Sequence, residues 1–187
     1  SRCPRCERRI PFYDNIPIIS YIILRGRCRS CAELISALYP FVESITGVFA
    51  VLLFFEFSRP AEFFVYSVFV ASLIVITFID LELQIIPDVI SLPGIVAGFA
   101  ASFFLASPGV WDSLIGIGLG AGLLLSIAAA YMLVARKEGM GMGDVKMLAM
   151  IGAFLGWQGV ILTLLAGSVF GALIGGGLML FKGKGSG

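Results

Sequence analysis

Hydrophobic positions in this chain are grouped in long blocks, not spaced as the narrow stripe of a surface helix. After a mixed stretch up to about residue 35, apolar residues dominate 36–57, 61–79, 89–107, 112–135 and 158–181. A helix that crosses the hydrocarbon of a bilayer needs about 20 mostly apolar residues, so each block predicts a membrane-spanning helix. A sixth block, Val145 to Trp157, is apolar but too short for a lipid-facing span. It predicts a short helix sheltered by its neighbours, or a re-entrant piece. The expected fold class is therefore all-α: a polytopic membrane bundle over residues 36–182 with a small polar head at 1–35. Residues 183–187 (Gly-Lys-Gly-Ser-Gly) resemble a linker outside the fold, and no internal repeat is evident.

Composition strengthens this picture. Hydrophobic residues make up 59% of the 187 and charged residues 13%, with mean hydropathy +1.02, whereas soluble domains are about a quarter charged. A soluble chain of this length could not hide so much apolar surface. The net charge of +1 says little, but seven of the thirteen basic residues (Arg2, Arg5, Arg8, Arg9, Arg25, Arg27, Arg29) lie in the head. A basic end before apolar spans stays cytoplasmic. The cluster lacks the aromatic interleaving of single-strand binders, so no nucleic-acid partner is expected. Ser1 to Leu34 has no apolar region of the signal-peptide kind.

Tracing the spans from a cytoplasmic head, the second returns near Asp80 and the fourth returns at Arg136-Lys137. If the short sixth segment leaves and the last span comes back, Lys182 and Lys184 are cytoplasmic as well. Asp80 and Asp144 then both fall at the cytoplasmic edge.

The head carries Cys3-Pro4-Arg5-Cys6 and Cys28-Arg29-Ser30-Cys31. Two CxxC pairs separated by some twenty residues have the spacing of a four-cysteine zinc site. Four protein ligands leave no open coordination position, so the zinc would be structural. It would also close a loop in a head with few apolar residues to hold it. Disulfides are the rival reading, disfavoured in a reducing compartment.

Acids within apolar stretches are costly and need a reason. Asp80 follows the apolar run Leu73 to Ile79 and opens a segment reaching Pro87-Asp88. Asp144 ends Gly139-Met140-Gly141-Met142-Gly143-Asp144, where Gly141 and Gly143 would let an extended peptide approach the backbone. The chain has no histidine, which excludes Ser-His and Cys-His catalysis and leaves a carboxylate pair as the natural hydrolytic machinery. By position alone Glu82 or Asp88 could equally belong to the pair, and any of these acids could be an interfacial helix-end residue. Glu43, inside the first span, is the least comfortable of the remaining acids.

The motifs Cys3-Pro4-x-Cys6, Asp14-Asn15-Ile16-Pro17, Ser20-Tyr21, Leu24-Arg25-Gly26-x-Cys28-x-x-Cys31, Ser36-x-x-Tyr39-Pro40-x-Val42-Glu43, Asp80 to Asp88, and Gly141-x-Gly143-Asp144-Val145-Lys146 together resemble the bacterial prepilin peptidases. The resemblance covers most of the chain and selects Asp80 and Asp144 as the catalytic pair over Glu82 and Asp88. It implies prepilins and pseudopilins as substrates, cleaved after a Gly at the cytoplasmic face of the inner membrane. Many members then methylate the new N-terminus with S-adenosylmethionine, whose site these residues do not locate. Archaeal relatives lack the cysteine head, so the resemblance assigns zinc to structure or substrate handling. Family members usually carry a further span before the head and another apolar segment after the position of Lys182. Two other classes compete: a transporter using the acids to bind protons or cations, and a non-catalytic assembly factor acting through the zinc head.

Overall fold

The computed structural model describes residues 2–3, 5–136 and 141–182. Lys137, Glu138, Gly139 and Met140, the expected linker 183–187, and Lys184 within it lie outside the described residues. Contacts divide the chain into two units, Ser1–Ile74 and Val75–Gly187.

In the first unit, a single 3-10 turn (Phe12–Asn15) and helix α1 (Ile19–Ile23) belong to the head. Helix α2 (Leu38–Glu56) has no buried residue. Val48, Leu52 and Phe55 all project outward from it, as expected of a span whose side chains meet lipid. Its C-terminal end turns sharply into α3 (Pro60–Leu83). There Phe57 stacks on Tyr66, ring centroids 4.5 Å apart, and Arg59 pairs with Glu62 at 3.5 Å.

The second unit is built on α4 (Asp88–Ala101), α5 (Val110–Ala135) and α6 (Met142–Lys182). Its densest part is the first third of α6, where Val145, Leu148, Met150, Ala153 and Phe154 are all buried. This is the short apolar block expected to be sheltered by its neighbours, and α4 and α5 provide the shelter. A Cβ on Gly120 would lie 2.7 Å from the Leu148 carbonyl oxygen, and one on Gly116 would strike the backbone of Gly152. Gly116 and Gly120 sit one turn apart on the same face of α5, while Gly118 and Gly122 have open space around them. Half of the glycine run therefore makes a backbone-to-backbone contact that any side chain would obstruct. The fully buried Ser113 completes the seam by donating from Oγ to the Ala153 carbonyl at 2.8 Å.

Among the described residues, four helices are long and apolar enough to cross a membrane: α2, α3, α5 and α6. The protein is a multi-pass membrane protein. Three sequence boundaries shift. The block at 89–107 forms only the 14-residue helix α4, about 21 Å long at 1.5 Å per residue and so short of a ~30 Å hydrocarbon layer. Its last residues leave the helix through Ser102 to Pro108. The span expected to end at 79 runs on to Leu83, so Asp80 is inside a helix. The sixth and last blocks are joined without a loop, at Gly156 (φ 69°, ψ −173°). A left-handed φ is open to glycine at little cost, so a single residue breaks α6 where sequence reading expected two separate elements.

Candidate active site and head cavity

Asp80 and Asp144 reach the site from opposite helix ends. Asp80 lies in the last turn of α3, where its carbonyl accepts the N–H of Gln84 at 2.8 Å. Gln84 then takes φ 54°, and the chain passes through Pro87 to start α4 at Asp88. Asp144 lies in the first turn of α6. A carboxylate there is favoured by the helix dipole, while one in a last turn is opposed by it. Asp80 therefore occupies a position with a local cost.

The fold brings these two carboxyls within electrostatic range of each other, and both residues are exposed at the surface of the unit. Two contacts fasten the surrounding backbone. Lys146 Nζ donates to both carboxylate oxygens of Asp88, at 2.7 and 2.8 Å. Gly143 lies so close to Ile86 that an added Cβ would be 2.8 Å from the Ile86 Cβ. Gly143 is thus tight against the 84–88 turn, whereas Gly141 is open, its nearest neighbour being the Asp144 carboxylate at 4.0 Å from an added Cβ. Of the two glycines expected to admit a peptide, only Gly141 has room around it among the described residues. Asp88 is held by Lys146, and Glu82 makes no ion pair among the described residues. Sequence reading had weighed Asp88 as a candidate acid without seeing its partner. The signal was there: a lysine two residues beyond Asp144 and an aspartate eight beyond Asp80, opposite charges placed at equivalent ends of the two motifs.

The cysteine head is assembled from two copies of one turn. Cys3 N–H donates to Arg8 O and Glu7 N–H to Cys3 O; Cys28 N–H donates to Glu33 O and Ala32 N–H to Cys28 O. The residue after each second cysteine, Glu7 and Ala32, has φ of 55° and 57°, and short antiparallel bridges join Arg2 to Arg9 and Arg27 to Leu34. The repeat is also in the sequence, Arg-Cys-x-x-Cys-x-x-x-Ile at 2–10 and again at 27–35. The expectation of no internal repeat is corrected here: nine residues were too few to register as one.

All four cysteines are free, and their sulfurs lie within 4.8 Å of one another, Cys3 and Cys31 at 3.9 Å. Tetrahedral zinc with Zn–S bonds of ~2.3 Å needs sulfurs about 3.8 Å apart, so the cluster fits such an ion. The electrostatics also call for a cation. The backbone N–H groups of Cys6 and Arg5 hold the Cys3 thiol down at about 7. At Cys31 the Glu33 backbone N–H acts in the same direction, but desolvation and the other three sulfurs outweigh it and push that thiol up to about 12. Four sulfurs this close cannot all be thiolates without a positive charge among them.

Beside the cysteines the head encloses a cavity of about 530 Å³, lined by head residues and the start of α2. One wall is fixed by a fork-shaped ion pair, Arg29 Nε and an Nη each donating to Asp14 at 2.7 Å. That guanidinium holds the Asp14 carboxyl below its usual range. Elsewhere in the lining Glu43 Oε2 accepts the N–H of Ile18 at 2.9 Å. Ile18 is a β-branched residue at φ 61°, a costly conformation. Glu43, the acid with no evident reason in the sequence, is therefore a clamp on a strained turn.

The comparisons with known proteins agree with both halves. Residues 67–176 match the model of the type IV leader peptidase family, and residues 1–57 match that of the bacterial peptidase A24 N-terminal domain. The chain belongs to the type IV leader peptidase family. It is similar to proteins named prepilin leader peptidase/N-methyltransferase from Pseudomonas putida (39% identical, over 94% of this chain and 61% of the relative) and Aeromonas salmonicida (38%, over 97% and 62%). A relative of the same name from Myxococcus xanthus is 36% identical over 98% of this chain and 55% of its own length. The chain thus spans about three fifths of the length of these family members. No solved structure matches it. The family's two models meet near the end of α2, so the cysteine head with its cavity and the aspartate pair fall in different family segments.

Proposed function

We propose that this chain hydrolyses a peptide bond in the leader of prepilins and pseudopilins, with Asp80 and Asp144 as the catalytic pair. The observation that supports the reading is that these two exposed carboxyls, on separate helix ends, lie within electrostatic range of each other. Two carboxyls that come close together share a proton more readily than both ionise. The protonated member polarises the scissile carbonyl, and the ionised member takes a proton from the attacking water. Acid and base are not assigned to individual residues. Lys146 and Asp88 hold the turn that carries the site, and Gly141 gives the substrate backbone a path to it. A transport role would place the acids along a conduction path near the bilayer midplane; these lie in a last turn and a first turn.

On this reading the four cysteines hold a structural zinc ion, and the protein sits in the bacterial cytoplasmic membrane with head and active site on the basic, cytoplasmic side. The relatives' names add N-methylation, which supports S-adenosylmethionine as a cosubstrate.

Detergent-solubilised protein incubated with a prepilin, with products mapped by mass, tests the central claim. The expected outcome is a cut after the leader glycine. Asp80→Asn and Asp144→Asn should each slow it by roughly 10²- to 10⁴-fold or more, with zinc content unchanged. Full cleavage by either variant removes that residue from the pair.

A further inference from the structure

The head keeps one surface that neither the cysteines nor the cavity uses. Helix α1 and the residue after it turn Ser20, Tyr21 and Leu24 to the cavity. Ile19, Ile22 and Ile23 do not line it and are 55%, 68% and 69% exposed; their spacing puts them on one helix face. The 3-10 turn packs against α1 and adds Phe12 and Tyr13, whose rings meet edge to face at 5.4 Å and which are exposed as well. Five large apolar side chains exposed within residues 12–23 mark an interaction surface. We propose that this surface docks on the bilayer itself, its apolar residues at the boundary between headgroups and acyl chains and the arginines beside it on anionic phospholipid headgroups. The inference rests on α2 crossing a membrane and is independent of the peptidase reading.

Depth along α2 is the first argument. With 19 residues, α2 is about 28 Å long at 1.5 Å per residue, no more than the ~30 Å hydrocarbon layer. Crossing therefore uses all of it, and its first turn lies at the membrane boundary. Glu43, in the second turn, accepts the Ile18 N–H at 2.9 Å, and helix side chains lean back toward the N-terminus. Ile18, the residue that leads into α1, is thus held beside the start of the span. The far end of α1 is tied there too: Gly26 N–H donates to Tyr21 O at 2.9 Å, and Ile35 N–H, just before α2, donates to Gly26 O at 2.7 Å. Direction is the second argument. The cavity lies between α1 and the first residues of α2, so the isoleucines point away from α2, toward the lipid that surrounds a span at that level. Charge is the third. Arg25 and Arg27 follow α1 directly, are exposed, and lie outside the cavity lining; neither makes an ion pair among the described residues. Apolar residues bordered by long cationic side chains suit an anionic membrane surface. A second copy docked through the same patch would instead bring these arginines against their own kind.

Photocrosslinking of the full chain in nanodiscs of phosphatidylethanolamine and phosphatidylglycerol tests the surface. Ile22→p-benzoylphenylalanine, with Ile19→p-benzoylphenylalanine as a second variant, should give phospholipid adducts, identified by mass, on irradiation. The same substitution at Glu7, an exposed acid in the first cysteine turn, should give none. Phosphatidylglycerol should be enriched in the adducts over its share of the bilayer, and Arg25→Gln combined with Arg27→Gln should remove that enrichment at an unchanged thermal midpoint. The inference is overturned if both isoleucine variants give no lipid adduct, if they crosslink to a second copy of the chain in place of lipid, or if Glu7 yields lipid adducts equal to theirs. Enrichment that survives the two arginine changes overturns the assignment of anionic headgroups to Arg25 and Arg27.

Discussion

The second unit and the head are held together by opposite means. Residues 75–187 are fastened by proximity of backbone: Gly116 and Gly120 let α5 lie directly against α6, and one serine hydroxyl completes the seam. The head has almost no apolar core, Cys3 being its only buried hydrophobic residue among those described. It depends instead on a few polar anchors, namely four sulfurs, the Asp14–Arg29 fork and the Glu43–Ile18 clamp. The difference shows how one short chain serves two solvents. In lipid, apolar burial gives little drive and close fit must supply the contact. In water, a segment of about thirty-five residues is too small to be stabilised by a core and needs a staple.

On the zinc reading, the largest effect that separates the head from the second unit should come from removing the metal. Structural zinc contributes about 10–16 kcal/mol of apparent binding energy in small peptides near neutral pH. A strong chelator should therefore make residues 1–35 sensitive to protease while α5 and α6 retain their hydrogen-exchange protection. Loss of protection in both would show that the units do not stand apart. A smaller effect is expected from crowding the seam: Gly120→Leu should cost about 1–3 kcal/mol or more through overpacking, read as a lower thermal midpoint. Gly118→Leu, two residues away but facing open space, should leave the midpoint nearly unchanged. If the two variants behave alike, the seam is not where the second unit gains its stability.

The smallest effect is electrostatic and confined to the head. Arg29 lowers the Asp14 carboxyl below its ordinary value by hydrogen bonding and by charge. The unfolded chain therefore binds a proton there more readily, and stability rises with pH across the window below about 3.9. The contribution is fully present above that value and is lost as pH falls through the folded-state value. Asp14→Asn should flatten this part of the head's acid-unfolding curve relative to wild type. An unchanged curve would mean that the fork is too solvated to matter.

Much of this was legible in the sequence because it is written in residue types. Apolar blocks, paired CxxC motifs and isolated acids in apolar surroundings have few physical explanations. What escaped notice is set by backbone angle or long-range fit. The apolar run from Phe103 to Leu105 reads as helix, yet α4 ends before it. The boundary read between Trp157 and residue 158 falls within two residues of the break at Gly156, but nothing in the sequence says that one left-handed residue makes it without a loop. Gly116 and Gly118 are indistinguishable until the partner helix shows which of them it touches. Glu43 looked misplaced because its partner is a backbone N–H twenty-five residues away, and no side-chain pattern announces a backbone donor.

Asp80 and Asp144 stand on helix ends that only tertiary packing brings together, with a whole helical hairpin between them in sequence. A nascent chain that has emerged only through α3 holds half of a catalytic pair, and a complete but unfolded chain holds both halves apart. Destructive chemistry is thereby interlocked with assembly: on the proposed mechanism, the protein can cut nothing, including its own emerging chain or its neighbours in the membrane, until α6 is in place.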